Sequence, residues 1–202
     1  MSVSKIQNVK VKIKGVSPYL MNPMTEDILD ELRTGNRAPI MKDRPVEEIS
    51  QRKLCTESGK IGIPVENLLA CMAEAGRKVK HGKDQISTAK TTTMYSLLSV
   101  EETFLPFTNL VPENDGWIVD KRRGRLKDGT AVCIVRPKFM SWGFEFTLTI
   151  DGNGVSPDTI KQLVKCAGNI GLGDFRPSCK GPFGRFTIES WEIMENVVKE
   201  AA

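Results

Sequence analysis

Few residues in this sequence have the types and spacing that catalysis requires. His81 is the single histidine, and no Gly-x-Ser-x-Gly motif accompanies a serine, so a hydrolytic triad is not indicated. There is also no pair of histidines, no Asp-x-Asp cluster and no Cys-x-x-Cys pair, so we expect no metal site and no cofactor. His81 is therefore a catalytic candidate without identified partner groups, and the sequence favours binding over catalysis.

The stretch most suited to binding an anion is residues 171–186, which combine glycines with cations and phenylalanines. Glycine tolerates positive φ and lets a ligand or another backbone approach closely, whereas proline restricts the chain. A long ordered loop of this kind is more often functional than connective. The candidate residues are Gly171, Gly173, Arg176, Lys180, Gly181, Gly184 and Arg185. A nucleotide P-loop runs from strand to helix, whereas this loop runs from a predicted helix to a predicted strand, so we reject the P-loop reading.

Two further segments are basic. Lys10, Lys12 and Lys14 alternate with apolar residues, which is typical of a half-buried strand, either an edge strand kept soluble by charge or a binding face. Residues 116–127 place Trp117 beside a group of cations, Lys121, Arg122, Arg123 and Arg125. We predict that both segments join the glycine-rich loop in one groove, where cations neutralise phosphates and Trp117 or Phe175 stacks on bases.

Composition sets broad limits on the partners. The net charge of +4 is too small to identify a ligand by itself, so the distribution of the cations carries the argument. No apolar run approaches 18 residues and the N-terminus has no apolar signal region, so we expect no membrane partner. The cysteine count is odd, which favours reduced thiols and a cytoplasmic location.

The elements that must position these residues follow a recognisable order. Strands are predicted at 5–14, 131–138, 143–150 and 186–193, and helices at 64–80 and 157–170. Ser156 and Pro157 supply the start signals of the second helix. The order strand–helix–strand–strand–helix–strand predicts an α+β, ferredoxin-like antiparallel sheet with both helices on one face. We expect one domain over residues 1–202, with insertions at about 15–60 and 82–130.

A ferredoxin-like unit with a glycine-rich loop before its last strand resembles the RAMP superfamily of CRISPR-associated RNA-binding proteins. The resemblance covers roughly residues 131–193 and rests on Gly171, Gly173, Gly181 and Gly184 with the cations among them. It implies that the loop lies against an RNA backbone. The whole chain, including Ile63-Pro-Val-Glu-Asn67 and Asp174-Phe-Arg-Pro177, is also similar to uncharacterised phage-encoded proteins, which would place it in the host cytoplasm.

These observations predict a non-catalytic protein that binds single-stranded RNA or DNA. One alternative is a phage counter-defence protein that docks a host complex, associates with itself or sequesters a small nucleotide. Another, implied by the RAMP resemblance, is a metal-independent endoribonuclease in which His81 works with Tyr19 or Tyr95. The plainest alternative is that the loop simply closes over the sheet and the basic residues are solvated.

Overall fold

The structure is a computed structural model that describes residues 6–24, 29–30, 33–35, 44–111, 116–125 and 128–194. It includes the helices α1 Val46–Gln51, α2 Val65–Ala75, α3 Met94–Leu97 and α4 Pro157–Ile170. Its strands are β1 Ile6–Gly15, β2 Tyr19–Leu20, β3 Thr56–Glu57, β4 Lys60–Pro64, β5 Lys80–His81, β6 Asp84–Gln85, β7 Leu98–Val100, β8 Phe104–Pro106, β9 Ile118–Arg125, β10 Ala131–Phe139, β11 Gly143–Asp151 and β12 Phe186–Ile193.

The main sheet has the strand order β12-β1-β11-β7, and all neighbours are antiparallel. Taken in chain order, these four strands alternate with α2 and α4 in the ferredoxin-like pattern, so the predicted α+β, ferredoxin-like fold is confirmed. The buried pairs across the centre of the sheet are Val9–Leu148, Val11–Phe146 and Ile13–Phe144. They share one core with the apolar faces of α2 and α4, which places both helices on the same side of the sheet.

Local sequence signals explain why α4, the second of the two predicted helices, begins at Pro157. The Ser156 hydroxyl accepts a hydrogen bond from the backbone N–H of Thr159 at 3.2 Å, and Pro157 occupies the first helical position. The helix buries Ile160, Leu163, Val164 and Ala167. It also passes so close to β12 that a Cβ added at Gly168 would lie 2.2 Å from the carbonyl oxygen of Phe186. Only glycine fits there, and the helix is therefore held directly against the last strand.

The second strand of the main sheet differs from our prediction. Residues 131–138 were expected there, but Leu98–Val100 takes that position and pairs with the end of β11. Instead, β10 pairs with β9 through residues 118–125, and with β2. In this pairing Arg136 of β10 lies opposite Asp120 of β9, so the charged residue inside the strand has an ion-pair partner. The division into one domain with two insertions stays a prediction.

Helix α2, the first of the two predicted helices, ends earlier than predicted. We expected it to run to Lys80, but α2 ends at Ala75 and is followed by a 3-10 turn at Gly76–Lys78. A Cβ added at Gly76 would lie 2.4 Å from the hydroxyl oxygen of Ser87, so the returning chain packs against the helix end at this position. Within the described residues, no helix is long and apolar enough to cross a membrane.

The five cysteines are free in the structure. Cys71 on α2 is buried and its thiol donates to the carbonyl oxygens of Ala167 and Gly171 at 3.3 Å each. Burial raises the pKa of the Cys71 thiol from its ordinary value of 9.0 to about 12. In contrast, Cys133 and Cys179 are exposed. The thiols therefore differ in reactivity because of their positions in the fold.

We expect alkylation of the native protein to modify Cys133 and Cys179 rapidly and to leave Cys71 unmodified, because the thiolate is the reactive form. Mass spectrometry of protein labelled at neutral pH provides the measurement, with denatured protein as the control in which all five cysteines react. The folded chain also retains the Cys71 proton where the unfolded chain loses it. Stability should therefore fall as pH rises from 9.0 toward about 12. Equal labelling rates for Cys71 and Cys133 would contradict this account.

Candidate nucleic-acid interface

The glycine-rich loop, residues 171–185, is tied to the segment between β1 and β2. The backbone N–H of Leu172 donates to the carbonyl of Gly184 at 2.9 Å, which closes the loop. Gly184 in turn donates to Pro18 at 2.8 Å, and Asp174 donates to Leu20 at 2.8 Å. These backbone bonds hold the loop in one conformation despite its glycine content.

The four predicted glycines make this closure sterically feasible. Gly171, Gly173 and Gly184 have positive φ values of 84°, 76° and 72°. A Cβ added at Gly184 would lie 1.7 Å from the carbonyl oxygen of Leu172, and one at Gly181 would lie 1.8 Å from that of Phe175. In this structure the glycines permit contacts inside the loop and with Tyr19–Leu20, so their predicted contact with phosphate stays a prediction.

The three loop cations have different surroundings. Lys180 is exposed at the left-handed position that ends the 3-10 turn Pro177–Cys179. Arg185 is exposed and donates to the Asn169 side chain at 3.1 Å. Arg176 is half-buried and donates to the carbonyl oxygen of Gly173 at 3.0 Å. Lys180 and Arg185 are thus available to a ligand on the outer surface, whereas Arg176 lies in a cleft.

In the basic hairpin, formed by β9 and β10, the cations of β9 lie on two opposite faces because successive side chains of a strand alternate. Lys121, Arg123 and Arg125 are exposed on one face, about 6.6 Å apart along the strand. Arg122 faces the other way and is half-buried. Leu126 and Lys127 of the basic run lie outside the described residues. The exposed face therefore presents three cations in a row, a pattern suited to an extended polyanion.

Arg122 joins the hairpin to the glycine-rich loop. Its guanidinium carbon lies 4.7 Å from the centre of the Phe183 ring, which is within the range of a cation–π interaction. Its Nε also donates to the Asp120 carboxylate at 2.9 Å. Phe175, which is 37% exposed, lies on the other side of Phe183 with ring centres 6.1 Å apart. The structure thus brings Arg122, Phe183 and Phe175 together at the junction of the two basic elements.

A second link between the hairpin and the loop is buried. Arg136 on β10 is only 3% exposed, and its Nε lies 3.3 Å from Asp120 on β9. Its Nη1 forms an ion pair with Asp174 of the loop. The sequence analysis missed this network, although a charged residue inside the apolar strand 131–138 was a signal that it needed a partner.

Two side chains from the first insertion complete this network. The Asn22 side chain donates to Asp174 at 3.1 Å and accepts from Lys53 at 2.9 Å. Lys53 also donates to the carbonyl oxygen of Val135 at 2.7 Å. Burial lowers the pKa of Lys53, and the neighbouring cation of Arg136 lowers it further. The hairpin, the loop and the first insertion are therefore fastened into one unit by polar contacts, of which those of Arg136 are buried or half-buried and those of Asn22 are exposed.

The lysine strand differs from this unit in that two of its three cations form ion pairs with acids. Lys10 pairs with Glu145 at 3.2 Å and Lys12 pairs with Glu189 at 3.1 Å, both on the open face of the main sheet. The hydrogen bond and the charge of Glu189 raise the pKa of Lys12. Lys14 is exposed, and no ion pair involving it occurs among the described residues. Two of the three lysines are thus compensated by acids on the neighbouring strands.

Two other candidates, Trp117 and His81, have different surroundings. Trp117 is half-buried and packs on the core beside Leu54 and Leu110, where it forms part of the wall of a cleft of about 440 Å³. His81 lies in β5 opposite Asp84. Of the tyrosines, Tyr19 is buried and Tyr95 is exposed, and in the described part of the chain neither forms a hydrogen bond with His81. Among the described residues no group of three metal-ligating side chains occurs.

No family model and no curated protein matches the chain. The chain is similar in structure to a chain of the cryo-EM structure of the Type III-B Cmr-beta bound to cognate target RNA, with a TM-score of 0.54 and 14% identity. The match covers 95% of this chain and 61% of that chain, so this chain spans less than two thirds of its structural neighbour. Similarity to phage proteins stays a prediction, whereas the likeness in fold agrees with the predicted ferredoxin-like fold.

Proposed function

We propose that this protein binds single-stranded nucleic acid, with RNA preferred, mainly through the sugar-phosphate backbone. The observation that carries the proposal is the unit formed by the basic hairpin and the glycine-rich loop. Arg122 over Phe183 and Arg136 between Asp120 and Asp174 hold the two elements together. Such a unit presents its exposed cations in a fixed arrangement, which reduces the ordering cost of binding a flexible strand.

The charges in this unit suit phosphates better than a protein partner. The exposed cations are Lys121, Arg123, Arg125, Lys180 and Arg185. None of them forms an ion pair with a carboxylate among the described residues, unlike Lys10 and Lys12 on the sheet. Release of condensed counterions from the strand would then supply most of the binding free energy. Phe175, on the same loop as Lys180 and Arg185, is an exposed aromatic ring that offers a face on which a base can stack.

We propose RNA as the preferred strand because the complex that contains the structural neighbour is bound to cognate target RNA. A shared fold at 14% identity does not transfer a ligand by itself. The preference for RNA therefore belongs to the proposal and requires comparison of RNA and DNA strands of the same sequence.

The test compares two variants with the same change in net charge. In the hairpin variant, Lys121, Arg123 and Arg125 are replaced with Gln. In the sheet variant, Lys10, Lys12 and Lys14 are replaced with Gln. If each hairpin cation neutralises one phosphate, the log–log dependence of affinity on salt should flatten by about two units in the hairpin variant. The sheet variant should retain most of the slope, because Glu145 and Glu189 already compensate two of its lysines.

Fluorescence anisotropy with labelled RNA and DNA oligonucleotides across a salt series provides the measurement. Thermal melting of each variant controls for loss of folding. Equal flattening in both variants would mean that net charge alone drives binding and that the hairpin is not the site. Absence of binding to either strand at low salt would favour the small-nucleotide or protein-docking hypothesis instead.

A further inference from the structure

A cleft lies between α2 and the start of the glycine-rich loop, on the inner side of the unit described above. Its volume is about 570 Å³, within the range of about 300–1,000 Å³ that is usual for small-molecule sites. Met21, Ile63 and Ala70 contribute apolar wall, and Asn67, Glu74 and Arg176 contribute polar groups. This combination of apolar wall with a few polar groups matches a ligand that has both a ring and a charge.

Arg176 supplies an incompletely used cation in this cleft. Its one hydrogen bond within the described residues goes to the carbonyl oxygen of Gly173. No carboxylate of the described chain lies within ion-pair distance of it, although Glu74 and Asp174 also line the cleft. Asp174 is already engaged by Arg136 and Asn22. A guanidinium has several further donors, and a phosphate can accept two of them at once.

Tyr19 supplies an independent observation. The residue lines the cleft and is only 3% exposed, with its ring packed against Phe107 and Trp142. In the described part of the chain no hydrogen bond of its hydroxyl occurs, and the hydroxyl oxygen is not among the fully enclosed polar atoms without a partner. The phenol end of the ring lies at the cleft wall formed by Gly173, where an added Cβ would be 2.8 Å from the tyrosine Cζ. The cleft therefore contains a polar group that a ligand could satisfy.

We infer that this cleft holds one nucleotide, with its phosphate on Arg176 and its base between Met21 and Ala70. The carboxylate of Glu74 and the amide of Asn67 provide acceptors for a base that carries an exocyclic amino group, such as cytosine. The inference rests on the proposed function in that the nucleotide is expected to be part of the bound strand. A free nucleotide has the same chemistry and is distinguished from it by experiment.

The test fills the cleft without changing the charge. Ala70 is exposed and lines the cleft, so Ala70→Trp should occupy the space of the base. Gln162→Trp places the same side chain at an exposed position of α4 outside the cleft and serves as the matched control. The probes are oligocytidylate, a fully abasic strand of the same length, and free cytidine monophosphate. Thermal melting checks that both variants fold.

We expect Ala70→Trp to weaken oligocytidylate binding about tenfold, because one buried base is worth that much, while the Gln162→Trp variant binds normally. Binding of the abasic strand should be the same in all three proteins. If cytidine monophosphate alone binds and Ala70→Trp abolishes its binding, the nucleotide cleft stands and the strand-binding proposal fails. If Ala70→Trp binds every probe as tightly as the native protein, the inference is overturned, and salt-dependent binding of the abasic strand would still support the proposed function.

Discussion

Replacing Arg136 with Met should lower the free energy of unfolding by about 3 kcal/mol, since breaking a buried ion pair costs about 3–5 kcal/mol. Arg136 is 3% exposed and lies between Asp120 and Asp174. Its loss leaves Asp120, which is 6% exposed, with Arg122 as its remaining partner. We expect the lower end of the range because Arg122 remains and because Asp174 is partly solvated.

The matched control for this variant is Arg123→Met on the same hairpin. Arg123 is exposed and faces away from the loop, so its replacement should change stability by no more than about 0.5 kcal/mol. Urea unfolding followed by circular dichroism measures both variants. Equal stability of the two variants would show that the Arg136 network does not fasten the hairpin to the loop.

Gly184→Ala should lower the free energy of unfolding at least as much as Arg136→Met does. An alanine with φ near 72° costs about 1–2 kcal/mol, and overlap of its Cβ with the carbonyl oxygen of Leu172 adds about 1–3 kcal/mol. The loop cannot close at this position without moving its backbone. We therefore expect a loss of about 3 kcal/mol or more in stability, together with weaker binding of nucleic acid.

Gly59→Ala serves as the control that separates the cost of positive φ from the cost of Cβ overlap. Gly59 has nearly the same φ, 75°, but no atom lies within 4 Å of an added Cβ. This variant should therefore show the backbone cost alone, about 1–2 kcal/mol. Chemical denaturation of the pair gives the difference directly. A Gly184→Ala protein as stable as the Gly59→Ala protein would mean that the loop has other conformations open to it.

The parts of the fold that the sequence predicts are those with local signals. The second helix is predicted at residues 157–170, and α4 has the same bounds, because Ser156, Pro157 and the apolar stripe all lie within the element itself. The last strand is likewise predicted at the observed residues, 186–193, although its apolar alternation shifts phase after Ile188, where the pairing with β1 also shifts register. In contrast, β7 has only three residues, Leu98–Val100, and depends on β11 for its identity as a strand. A strand of three residues is too short to show an alternation of apolar and polar side chains in the sequence.

In the candidate site, too, the features with local signals are predictable and those that depend on distant residues are not. Composition alone identifies the glycine-rich loop and the basic hairpin as unusual segments. Their junction depends on Arg136 and Asp174, which are 38 residues apart and meet only through the tertiary fold. In the register of β1 and β11, Lys10 lies opposite Thr147 and Lys12 lies opposite Glu145. Glu145 is therefore the diagonal neighbour of Lys10 on the same face of the sheet, where the two form an ion pair. Side-chain partners of this kind become predictable only once the neighbouring strand is known.

The central position of β1 also has a consequence for synthesis of the chain. Its neighbours in the sheet are β11 and β12, which begin at Gly143 and Phe186. At about 5–20 residues per second, the ribosome needs roughly 6–26 s after completing β1 to reach its first partner. Throughout that interval Val9, Val11 and Ile13 lack the neighbouring strands that later pair with β1 on both sides. We expect the intervening lysines to hinder aggregation of the nascent strand, a role that requires no ligand.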